Sequence, residues 1–211
     1  MDTLRQVSLK FEKDNFPEFE FRLGTVNSAT GIFDSNIDEE SFGRVLHRLK
    51  KFDGWEMVTK STSNVFQSDR VRMEEDCESG MRTCVTKVKK EQMTMGAWTA
   101  PFAVRYCVSE EIPVAPPARF VRSFSKERES FVRKGVQIDM TVKRDLDADS
   151  EFPTQRQIEV EIVDRSIFQD ENLSTNAFHK ILDVMRCTFP SHSYPDEAVV
   201  KSWYNDLKII S

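Results

Sequence analysis

Four glutamates are spaced as a hard cation would need them. Glu18 and Glu20 stand two residues apart in Glu18-Phe19-Glu20-Phe21-Arg22-Leu23-Gly24, and Glu159 and Glu161 repeat the spacing in Gln157-Ile158-Glu159-Val160-Glu161-Ile162. Side chains at i and i+2 of a β-strand share a face, so each segment aims two carboxylates one way and bulky apolar residues the other. If the two strands meet in one sheet or barrel, four carboxylates crowd a small volume. That arrangement is costly unless a divalent cation neutralises it, and Mg²⁺ or Mn²⁺ favours such all-oxygen sites.

Cations recur with the same period. Arg70 and Arg72 share a face, as do Lys87 and Lys89; Arg105, Cys107, Ser109 and Glu111 form a third such series. Lys126 and Arg128 are aligned in the same way, and Asp139 and Thr141 add an acid and a hydroxyl. A lumen holding both acids and cations makes a poor apolar core but suits a polyphosphate with its metal, the Arg and Lys balancing phosphate charge.

The elements that must position these groups are mostly strands. Alternation predicts strands over 65–73, 82–90, 102–109, 119–124, 129–132, 136–143 and 158–163, split by turns at Glu78-Ser79-Gly80 and Lys134-Gly135. One-sided apolar stripes predict helices over 39–52 (Phe42, Val45, Leu46, Leu49), 174–186 and 195–207, with Asp38 or Ser41 capping the first. The pattern predicts an α+β chain, an eight-stranded antiparallel β-barrel with flanking helices, in a single domain spanning 1–211. A closed barrel has no free edge. Trp55, Trp98 and Trp203 are expected in the core or at helix docking points.

Composition narrows the function. A net charge of −5 and a pI near 5.4 argue against a bulk electrostatic nucleic-acid binder and leave room for a local basic channel. Four cysteines without a CxxC pair and only three histidines disfavour a zinc site. No apolar run approaches a membrane span and no secretory signal opens the chain, so a reduced intracellular setting is expected and Asn172-Leu173-Ser174 reads as a chance sequon.

The order of motifs adds a resemblance. ExExRLG, an RVR strand, SEExP, KxRxSF, xIDxT and xExE follow one another from about residue 16 to 163. This series resembles the metal-dependent RNA 5′-triphosphatases of mRNA capping in fungi, protozoa and large DNA viruses, members of the triphosphate tunnel metalloenzymes. The resemblance implies an eight-stranded antiparallel tunnel and Mn²⁺ or Mg²⁺ held by Glu18, Glu20 and Glu161, with Glu159 adjacent. It implies phosphate contacts from Arg70, Lys126 and Arg128, water orientation by Glu111, and support from Asp139 and Thr141. The implied reaction releases the γ-phosphate of 5′-triphosphate RNA, leaving a 5′-diphosphate end for a separate RNA guanylyltransferase. NTPs would serve as substrates in vitro, a homodimer is compatible, and the setting would be the nucleus or a cytoplasmic viral factory. Two positions depart from the pattern: Gln157 stands where a third alternating Glu is common, and Gln137 where a basic residue precedes Ile-Asp.

Other readings share these residues. Inorganic, thiamine or nucleotide triphosphatases of the same fold typically carry Lys at the third alternating position, where this chain has Arg22. An inactive tunnel acting as a scaffold for a capping partner is the reading from another class, motivated by the two glutamines. Lys51-Phe52-Asp53-Gly54 matches the KxDG signature of covalent nucleotidyltransferases, but it falls at the end of an amphipathic helix, so Lys51 reads as a C-terminal helix cation and Gly54 as the stop.

Overall fold

The computed structural model describes residues 18–96, 99–146, 154–164, 173–206 and 208–209. Eight strands close on themselves: β1 (Glu18–Val26), β6 (Ala103–Pro113), β5 (Arg82–Gly96), β4 (Val71–Asp76), β3 (Met57–Ser68), β7 (Arg122–Arg133), β8 (Val136–Asp145) and β9 (Gln155–Ile162), with β9 returning to β1. Every pairing is antiparallel. Two-residue strands, β2 (Phe33–Asp34) and β10 (Lys208–Ile209), add to β1 and β5. The expected α+β barrel is the fold observed.

The apolar core lies outside the barrel. Phe19, Phe21 and Leu23 of β1, Val104, Tyr106 and Val108 of β6, and Ile158, Val160 and Ile162 of β9 pack outward. Helix α1 (Glu39–Lys51) covers them with Phe42, Val45 and Leu49, and α2 (Leu173–Arg186) with Ile181, Leu182 and Met185. Trp203 of α3 (Glu197–Asp206) is buried in the same cluster. Because the strands alternate, filling this outer layer obliges the polar residues of β1 and β9 to face the lumen. The α1 N-terminus is fixed by the Asp38 carboxylate, which accepts the Ser41 N–H at 2.8 Å. Trp55 docks on Phe131 and donates its indole N–H to the Leu49 carbonyl. Trp98 lies outside the described residues. Lys51 ends α1, and Phe52, already extended, serves as its C-cap in place of Gly54.

Three strand boundaries differ from expectation. The predicted strand over 65–73 is a hairpin: Asp69 turns with φ 48°, so Ser68 pairs with Val71 and Arg70 sits in the turn. Segments 122–124 and 129–132 are parts of one strand, β7, and residues 119–121 of the expected strand precede it. Its polar centre Ser125-Lys126-Glu127-Arg128 shows no apolar alternation, yet it is hydrogen-bonded on both sides, to β3 and β8. Strand β3 begins at Met57, within an exposed polar stretch that carries no strand-like pattern. The Lys134-Gly135 turn forms as expected, with φ 50° and 70°.

Gly24 ends the ExExRLG series for a packing reason. A Cβ there would lie 2.2 Å from the Asp34 carbonyl oxygen and 2.5 Å from the Phe33 ring. Gly24→Ala is therefore expected to cost about 2–3 kcal/mol of stability by forcing β1 and β2 apart. A urea midpoint within error of wild type would contradict that.

Candidate active site

The barrel encloses a cavity of about 760 Å³ whose lining includes eight Lys or Arg and seven Asp or Glu side chains. Strand β1 lies between β6 and β9, and its pairing with β9 sets Glu20 opposite Glu161 and Arg22 opposite Glu159. The two acidic strands identified in the sequence are thus hydrogen-bonded neighbours.

Their carboxylates are in contrasting states. Lys87 Nζ lies 2.6 Å from Glu18 and 3.3 Å from Glu20, while Ser109 Oγ donates to Glu18 at 3.0 Å. Arg22 bridges Glu20 at 3.1 Å and Glu159 at 2.8 Å. Burial raises the Glu20 pKa above its ordinary value against the pull of Arg22. Burial would do the same to Glu159, but Arg22, Arg128 and Lys143 outweigh it and hold that carboxyl well below the usual range. Glu161 is pushed up to about 8 by burial and by Glu18 and Asp139, and among the described residues no Lys or Arg forms an ion pair with it.

Among the described residues no three His, Cys, Asp or Glu converge as ligands of one ion; Lys87 and Arg22 are paired with Glu18 and Glu20. The chemistry of the donor set still fits a hard divalent cation. All the donors are carboxylate oxygens, and Glu161 is a carboxylate destabilised by its acidic neighbours, the condition that a cation relieves.

Cations on β7 and β4 form the opposite wall. Arg128 reaches Asp139 at 2.9 Å and Glu159 at 3.3 Å, and its Nε donates to Thr141 Oγ1 at 3.2 Å. Asp139, 1% exposed, also accepts from Ser130 Oγ and from the Gln137 amide, so the neutral Gln137 satisfies a buried acid. Lys126 pairs with Glu74, which Ser63 also contacts. Arg72 holds Glu111 at 2.6 Å across the lumen wall, whereas Glu110 turns away to Lys90 at 3.0 Å.

The sequence-derived residues divide accordingly. Glu18, Glu20, Arg72, Lys87, Glu111, Lys126, Arg128, Glu159 and Glu161 all line the cavity. Asp139 and Thr141 are not part of the cavity lining; both contact Arg128, which is. Arg70 is exposed in the β3–β4 turn, outside the lining, because the chain reverses there. Lys89 is exposed beside the β5 irregularity and donates to Gln92. Arg105, opposite Arg22 on β1, stacks on Phe33 at 4.2 Å, donates to Thr94 and is not part of the lining. Arg22, Glu74, Arg122 and Lys143 line the cavity without having been singled out as site residues. The period-two series Glu18-Glu20-Arg22 and Asp139-Thr141-Lys143 carried the signal for two of them.

No family model matches the sequence, and no curated protein matches it. Solved structures do. The S. pombe Pct1 RNA triphosphatase superposes with a TM-score of 0.72 at 16% identity, covering 90% of this chain and 94% of that one. Pct1 in complex with the Spt5 CTD gives 0.73 at the same identity and coverage. The RNA triphosphatase domain of the trifunctional mimivirus mRNA capping enzyme gives 0.58 at 13% identity, covering 90% of this chain and 96% of that one. The chain therefore has the tunnel fold of RNA triphosphatases, the fold implied by its motif order.

Proposed function

We propose that this chain is a divalent-metal-dependent polynucleotide 5′-triphosphatase that hydrolyses the γ-phosphate of 5′-triphosphate RNA to leave a 5′-diphosphate end. The observation that carries this reading is the enclosed lumen itself, where carboxylates of β1 and β9 face the Lys and Arg of β4 and β7. An RNA guanylyltransferase would take the product, and the work would be done in the nucleus or, for a viral chain, in a cytoplasmic factory. Pct1, a protein of this fold, also forms a complex with the Spt5 CTD.

Glu18, Glu20 and Glu161, with Glu159 beside them, would hold Mn²⁺ or Mg²⁺. The ion would supply charge neutralisation and polarise the γ-phosphoryl oxygens. Lys126, Arg128 and Arg72 bind and orient the phosphate chain and stabilise charge on the leaving diphosphate. Glu111, steadied by Arg72, accepts a proton from a water aligned with the scissile bond. Asp139, Thr141 and Glu159 keep the Arg128 guanidinium extended into the lumen.

The test is phosphate release from 5′-triphosphate RNA, tripolyphosphate, thiamine triphosphate and ATP, each with Mg²⁺, with Mn²⁺ or with chelator. RNA and ATP are expected to be cleaved only with metal, with RNA preferred. Efficient tripolyphosphate cleavage with RNA ends left intact would replace the RNA reading by an inorganic triphosphatase. Absence of turnover alongside retained nucleotide binding would make the tunnel a scaffold.

A further inference from the structure

Three lysines line the lumen, and their partners differ in kind. Lys87 is neutralised by Glu18 and Glu20, and Lys126 by Glu74. Lys143 has no carboxylate within ion-pair distance among the described residues; its hydrogen bond goes to the neutral Gln157 Oε1 at 2.6 Å. The Gln157 amide is itself fixed. Buried at 7% exposure, it donates from Nε2 to Ser35 Oγ at 2.9 Å, which turns its oxygen toward Lys143. The Phe124 ring centroid lies 5.6 Å from the ammonium. An ammonium has three N–H donors, and the amide oxygen takes one. Lys143 is therefore a positioned cation on the lumen wall with its charge uncompensated by contact among the described residues. Burial lowers its pKa to about 8, with Arg22, Arg128 and Lys126 adding to that effect and Glu159 opposing it. A cation so placed gains most from an incoming anion.

We infer that Lys143 is a direct phosphate-binding residue of the tunnel, and that Gln157, held by Ser35, is its positioning residue. This rests on the triphosphatase reading above. It also gives the Gln at 157 a purpose: a carboxylate there would pair with Lys143 and compete with substrate phosphate for it.

The experiment measures binding of the β,γ-imido analogue of ATP in the presence of Mg²⁺ by calorimetry, for wild type, Lys143→Met and Gln157→Glu. Loss of a charge-assisted contact is expected to weaken Kd roughly ten- to hundredfold in both variants. Gln157→Glu keeps every cation in place, and its thermal midpoint should equal or exceed that of wild type, which excludes misfolding as the cause. In steady-state hydrolysis of triphosphate RNA its KM should rise while kcat stays within a few-fold. Binding by Gln157→Glu within twofold of wild type overturns the assignment and leaves the triphosphatase reading intact. Failure of the wild type to bind the analogue or to cleave RNA overturns both.

Discussion

Arg128→Ala is expected to lower phosphate release from triphosphate RNA by more than about a hundredfold and to destabilise the fold by about 2–4 kcal/mol. Both effects have one origin. The guanidinium bridges Asp139 at 2.9 Å and Glu159 at 3.3 Å, and those acids are 1% and 8% exposed at their side chains. Removing the arginine leaves two buried carboxylates with much of their compensation gone, a loss larger than the net worth of the pair itself. Arg22 still reaches Glu159 and the Gln137 amide still reaches Asp139, which keeps the penalty below the extreme for an isolated charge. Arg128→Lys should recover part of the stability but little of the activity, because an ammonium cannot span both acids and a phosphate at once. Urea denaturation and single-turnover phosphate release measure the two effects separately. Activity within a few-fold of wild type in Arg128→Ala would remove this residue from the phosphate-binding wall. A stability loss below about 0.5 kcal/mol would show that the bridge contributes nothing beyond a surface ion pair.

The part of this site that was legible in the sequence is the part written in strict alternation. Glu18, Glu20, Glu159 and Glu161 each have a bulky apolar neighbour, so the outer core, formed by Phe19, Phe21, Ile158 and Val160, settles which way the acids point. Where that outer layer thins, the signal fails. The centre of β7 is polar on both faces, so nothing local marked 125–128 as a strand; pairing with β3 and β8 does. Arg70 and Arg72 have the right spacing for one face, but a reversal at Asp69 takes Arg70 out of the strand, and spacing alone does not encode that. Glu74 sits in the acidic run Glu74-Glu75-Asp76, which reads as a solvated edge. Only the closure of the barrel brings it to Lys126. Residue order thus identified the acidic wall, while much of the cationic wall depends on long-range strand pairing.

Glu161→Gln is expected to abolish metal-dependent hydrolysis while making the metal-free protein more stable, a combination that separates a functional carboxylate from a structural one. In the metal-free fold the Glu161 carboxyl is pushed from its ordinary 4.5 up to about 8 by burial and by Glu18 and Asp139. Between those values the native state holds a proton that the unfolded chain has released, so this group's stabilising contribution is lost as pH rises from about 4.5 through about 8 and levels off above. A neutral glutamine carries no such penalty. The stability advantage of the variant should therefore be small near pH 5 and grow to about 1–3 kcal/mol by pH 9. Divalent cation reverses the ranking: Mg²⁺ or Mn²⁺ should raise the wild-type thermal midpoint increasingly with pH, since ligation requires the deprotonated carboxylate, and should leave the variant nearly unmoved. A thermal series from pH 5 to 9, with and without Mg²⁺, reads all of these trends. If the variant is less stable than wild type at high pH without metal, Glu161 is making a structural contact; if both midpoints respond alike to Mg²⁺, the ion binds elsewhere.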